Sequence, residues 1–133
     1  MKVAGVHHTM RKITTSLAVA LITLIGINNA QAHAVLMLTN PKANSVVKVL
    51  PEFIFAEFNE NLMTIGDKNP NQITVLNSKN KRVDNGESLV GGARVSTRLK
   101  PGLVAGKYLV SYRIVSEDGH IVNGKFSFYY KPK

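Results

Sequence analysis

The chain has 133 residues, 17 Lys+Arg against 8 Asp+Glu, 44% hydrophobic residues, no cysteine and no tryptophan. That length is one domain with an ordinary core, and the missing cysteine excludes disulfide scaffolds, thiolate zinc sites, iron-sulfur clusters, blue copper and cysteine nucleophiles. The formal charge of +9 suggests nucleic acid, so the first question is how much of it belongs to the working protein.

The chain opens with a segment that reads as a secretory leader over residues 1–32. Arg11 and Lys12 precede the apolar run LAVALITLIGI at 17–27, and Ala30, Gln31 and Ala32 form an A-x-A cleavage site. An apolar run of 11 residues is short of the roughly 20 that span a bilayer, so a retained membrane helix is the weaker reading. Met10 is an alternative start, which would make His7 and His8 irrelevant to function. Cleavage after Ala32 removes Lys2, Arg11 and Lys12 and no acid. Of 17 basic residues 14 remain against 8 acids, a charge of +6 on residues 33–133. Those charges are scattered, with one short cluster from Lys79 to Arg82 and no interleaved aromatics. A solvated basic surface, with no nucleic-acid partner and no membrane insertion of the exported chain, is the expectation.

From residue 33 onward no stretch keeps a helical apolar period, whereas short runs at 34–38, 54–59, 73–76, 95–99, 108–115 and 125–130 alternate or are rich in β-formers. In the clearest run, Tyr108, Val110, Tyr112 and Ile114 share one face while Leu109, Ser111 and Arg113 share the other. Turn signals separate the runs, among them Asn40-Pro41, DKNPN at 67–71, Asn85-Gly86, Gly91-Gly92 and Asp118-Gly119. The pattern predicts an all-β, immunoglobulin-like sandwich or Greek-key barrel of about seven strands.

Two histidines survive cleavage. His33 becomes the first residue, where the free α-amine and imidazole Nδ1 close one chelate ring on a metal; terminal amines and imidazoles shed their protons near neutral pH. His120 stands in SEDGH, with Asp118 two residues before it and Gly119 permitting a tight turn. Alone, a D-G-H triplet is a turn, and a histidine after a cleavage site is a coincidence. Together they supply three nitrogens and a carboxylate, a set suited to tetragonal Cu(II). A mode needing histidine at the third exported position is excluded by Val35.

These residues resemble the CopC-type periplasmic copper-binding proteins, including their short YobA-like members. The resemblance spans residues 33–133 and rests on HAVLMLTNPKANSV, on FNENL at 58–62 and on LKPGLVAGKYLVSYRIVSEDGHIVNGKFSF in that order. It implies a seven-stranded Greek-key sandwich and one Cu(II) per chain. The ligands it implies are His33 through amine and imidazole, His120, Asp118 and, from the FNENL motif, Glu60 as axial ligand or outer-shell acceptor. It also implies a non-enzymatic periplasmic role in copper sequestration, trafficking and resistance, with handover to a CopD-type inner-membrane partner. Two departures stand out. The loop MTIGDKNPNQI carries Met63 alone where members with a cuprous site have a Met-rich loop with histidine, so a cupric-only protein is expected. Tyr112 replaces a usual tryptophan, and its expected role is packing. The rivals are a histidine-brace copper oxygenase of the lytic polysaccharide type, disfavoured by size, by the absence of a tryptophan platform and by Asp118 in equatorial space, and a metal-free immunoglobulin-like interaction module.

Overall fold

The structure, a computed structural model, describes residues 33–133; the segment at 1–32 that the sequence reads as a leader lies outside the described residues. Eight strands run in chain order: β1 (Leu36–Asn40), β2 (Val46–Val47), β3 (Phe53–Phe58), β4 (Gln72–Leu76), β5 (Leu89–Gly91), β6 (Arg94–Arg98), β7 (Gly106–Val115) and β8 (Ile121–Tyr130). They form two four-stranded sheets, one ordered β1-β3-β6-β5 and the other β2-β8-β7-β4. Only the β5–β6 and β7–β8 connections stay within a sheet; every other connection passes between sheets, which ties the layers into one sandwich. Among the described residues no helix is long and apolar enough to cross a membrane.

All six runs read from the sequence are strands, and β2 and β5 are the two that the pattern did not single out. Both are edge strands of two and three residues, too short for alternation to register. β8 also begins four residues before the predicted run at 125–130. Asn123, Gly124 and Lys125 are poor β-formers, but continuous register with β7, from Val115↔Ile121 to Gly106↔Tyr130, holds them in the ladder.

Alternation decides which side chains enter the core. Ile54, Ala56 and Phe58 of β3, Ile73 and Val75 of β4, Val95 of β6, Tyr108, Val110 and Ile114 of β7, and Phe126 and Phe128 of β8 are all buried between the sheets. Each valine, isoleucine and phenylalanine among them contributes about 1.5–3 kcal/mol by burial. Tyr108 stacks on Phe128 with ring centroids 5.4 Å apart, and its hydroxyl donates to Val104 O at 2.5 Å. Burial pushes the phenols of Tyr108 and Tyr112 above their ordinary range. Tyr112 packs against the core, edge-on to Phe58 at 5.3 Å, in agreement with a packing role. Its register partner is Gly124, where an added Cβ would stand 2.1 Å from Tyr112 Oη and 2.3 Å from Cζ. The ring lies directly over that glycine, so position 124 has room for no side chain.

Candidate metal centre

The β7–β8 hairpin closes through a turn at residues 116–120. Ser116 N donates to His120 O at 2.9 Å and Gly119 N to Ser116 O at 2.8 Å. Gly119 takes φ +86°, a left-handed conformation that glycine adopts without strain. Asp118 is the organiser of this turn. Its Oδ1 accepts from the Ser116 hydroxyl and from His120 N at 3.1 Å, and its Oδ2 lies 2.7 Å from His120 Nδ1. The Ser116 hydroxyl, followed by the side chain and amide of His120, holds the Asp118 carboxyl down at about 2 against an ordinary 3.8. With Nδ1 engaged by the carboxylate, Nε2 is the nitrogen of His120 left for another partner.

His33 reaches this turn from the start of the domain. Ala34 is buried in the core, and Val35 forms a reciprocal clamp with Asn59: Val35 N donates to Asn59 Oδ1 at 2.7 Å and Asn59 N to Val35 O at 3.0 Å. This anchoring brings the His33 ring edge-on to His120, with centroids 5.2 Å apart. His33 is exposed and His120 half-buried, so the pair sits at the surface.

Glu60 belongs to the segment that joins these two parts. Asn59 is bonded to Val35 on one side of it, while Asn61 O accepts from Glu117 N at 3.1 Å on the other. Farther along, Leu62 bridges to Ser116 and Met63 N donates to Val115 O at 2.8 Å. Glu60 Oε1 is buried without a hydrogen-bond partner, an acceptor of the kind that a cation or a ligand N–H satisfies.

The four residues singled out in the sequence are thus not equally assembled. His33 meets His120 and Asp118 meets His120, but among the described residues no group of three or more His, Asp or Glu is close enough together to hold a metal. One feature of the geometry accounts for part of the gap: Asp118 directs both its oxygens into its own turn. The donor set itself, two imidazoles and two carboxylates with no thiolate, fits Cu(II) better than Cu(I).

Three residues that sequence reading passed over position this centre. Asn71 is buried, and its Oδ1 accepts from Val115 N at 2.8 Å while its Nδ2 donates to Met63 O at 2.8 Å, stapling the end of β7 to the Glu60 segment. Asn59 clamps Val35, and Ser116 holds Asp118. In the sequence Asn71 is part of the turn signal DKNPN and nothing marks it for burial.

The CopC domain family matches residues 36–131. Protein YobA of Escherichia coli (strain K12) is 32% identical over 127 residues, covering 90% of this chain and 95% of that protein. Copper transport protein CutJ of Bacillus subtilis is 31% identical over 100 residues, 73% of this chain but 18% of that longer protein. Among solved structures, PcoC, a methionine-rich copper resistance protein from Escherichia coli, superposes with a TM-score of 0.60 at 28% identity, covering 75% of this chain and all of that one. The family match, the similarity to YobA over nearly the whole of both chains and the shared two-sheet sandwich make this chain a member of the CopC domain family.

Proposed function

We propose that this protein is a non-enzymatic periplasmic carrier that binds one Cu(II) per chain, sequesters it and passes it to a CopD-type inner-membrane partner. The observation that carries the reading is the approach of His33 to His120, 5.2 Å between rings drawn from opposite ends of the domain. Leader removal after Ala32 frees the His33 amine, which with its imidazole and the His120 ring gives three nitrogens. Asp118 supplies oxygen to the metal or orients His120 through Nδ1, and Glu60 serves axially or accepts from a ligand N–H. A centre on a chain terminus and a hairpin turn is open to a receiving protein. Support for copper comes from the copper resistance protein PcoC and the copper transport protein CutJ among the relatives; in CutJ the matching region is a small part of a longer transport protein. Support for the cupric state alone is the lone Met63 in its loop and the absence of cysteine.

The test is Cu(II) titration followed by EPR, on protein beginning at His33 and on protein retaining Ala32. The first is expected to give one tetragonal nitrogen-oxygen signal per chain, and the second, like His120→Ala, to lose it. Indistinguishable signals from the first two samples would remove the amine from the site and overturn the reading.

A further inference from the structure

The two outer faces of the sandwich treat positive charge in opposite ways. On the β1-β3-β6-β5 sheet, both arginines of β6 are neutralised and stacked. Arg94 pairs with Glu57 at 2.5 Å and lies 3.9 Å over Phe55, while Arg98 pairs with Glu52 at 3.1 Å and lies 4.9 Å over Phe53. At the sandwich rim Arg82 is spent on buried Asp84.

The β2-β8-β7-β4 sheet has no such compensation. Its four strands contain Lys107, Arg113 and Lys125 and no acid. Because Tyr108, Val110, Ile114, Phe126 and Phe128 face inward, alternation turns these three outward, where all are exposed. Lys48 and Lys131, each one residue past β2 and β8, continue the same alternation and are exposed too. Among the described residues none of these five cations has a carboxylate within ion-pairing distance. Tyr129, exposed, sits among them with Lys107 Nζ 5.9 Å from its ring, and exposed Val46 lies beside it in register. Much of the excess positive charge of residues 33–133 is therefore concentrated on one flat sheet face.

We infer that the outer face of the β2-β8-β7-β4 sheet docks the protein onto an anionic lipid surface. Four of its five cations are lysines, point charges on flexible stems that suit a diffuse field of headgroup phosphates, whereas lysine is depleted from protein–protein interfaces. An aromatic ring and a small aliphatic group at the same level match the interfacial zone of a bilayer. The inference stands on the charge distribution and does not require that copper be bound. Docked on this face, the molecule keeps the 116–120 turn at the end of the sheet, so that the candidate metal centre lies beside the lipid surface and stays uncovered.

The experiment is flotation of residues 33–133 with phosphatidylglycerol-containing vesicles and with phosphatidylcholine vesicles. That segment contains both sheets and the whole described core, and the apolar run at 17–27 would itself partition into lipid. Binding is expected to the anionic vesicles only and to fall as salt is raised. Lys107→Gln/Lys125→Gln is expected to weaken it about tenfold or more, while Lys68→Gln/Lys100→Gln, with the same change in net charge, is expected to leave most of it. Equal loss in the two double variants would show net charge and no face, and would overturn the inference. So would absence of vesicle binding alongside retention on immobilised polyglutamate, which would assign the face to an acidic protein. Unchanged circular dichroism and thermal midpoint in both variants separate loss of docking from loss of fold.

Discussion

At the residue scale, Asp118 and Glu60 are the two carboxylates proposed for the centre, and their surroundings differ. Asp118 is an exposed carboxylate satisfied by its own turn, whereas Glu60 keeps a buried oxygen with no partner. If Glu60 supplies that oxygen to copper or to a ligand N–H, Glu60→Ala lowers Cu(II) affinity about 10- to 100-fold, the usual range for such partners. Competition titration against a chelator reads this directly, and an unchanged affinity would return Glu60 to a structural role. For Asp118 the metal-free protein gives a prediction of its own. Its carboxyl titrates at about 2 when folded against 3.8 ordinarily, so folding favours the ionised form. The stabilisation is complete above the ordinary value and disappears as pH falls through the folded one. Protection of the His120 amide, its exchange rate relative to an unstructured amide at the same pH, is expected to fall between pH about 4 and 2, and Asp118→Asn to abolish that step; flat protection in the parent protein would contradict the turn's hydrogen bonds. Solvent screening at this exposed site keeps the effect on global stability small.

At the element scale, the β7–β8 hairpin carries both the core and the centre, and its tolerances are narrow. Gly124 faces Tyr112 so closely that Gly124→Ala places its Cβ 2.1 Å from the hydroxyl oxygen. The ring must move, at about 1–3 kcal/mol as in other overpacked cores. Urea unfolding measures it, and in a double-mutant cycle Tyr112→Ala is expected to absorb most of the cost. The second element is the segment from Asn59 to Met63, which was legible only as the family-like string FNENL. Its path between the start of β1 and the hairpin turn depends on Asn71, whose side chain joins Val115 N to Met63 O. Asn71→Ala leaves both groups without their partner in a buried place and is expected to cost about 2–4 kcal/mol. It is also expected to weaken copper binding by loosening Glu60 against the turn, whereas Gly124→Ala should act on stability first.

At the scale of the whole molecule, the proposed copper binding would be linked to folding. A metal that binds only the folded chain stabilises it by about 2.7 kcal/mol at 100 times its dissociation constant. Calorimetry of protein beginning at His33 is expected to show this gain on adding Cu(II), and protein retaining Ala32, which lacks the amine chelate and with it the tetragonal site, little or none of it. A metal-free interaction module would show no gain in either.

The sandwich was legible in the residues, because burial on one face of a strand writes a period of two into them, as in 108–115. The sequence also marked His33, Asp118 and His120 as candidates, because a histidine after an A-x-A pattern and a D-G-H turn are local patterns. It did not reveal β2, β5 or the early start of β8, where short length and poor β-formers leave no period and pairing with a neighbour supplies the structure. Nor did it show that Asp118 turns both oxygens into its own hairpin, which the turn's hydrogen bonds decide. Which distant groups meet emerges only from the folded chain: His33 with His120, Asn71 with Val115 and Met63, and five cations on one sheet face. Those encounters depend on which strands pair within each sheet and on how the two sheets pack, and both are set by the fit of the buried faces, a property no single segment contains.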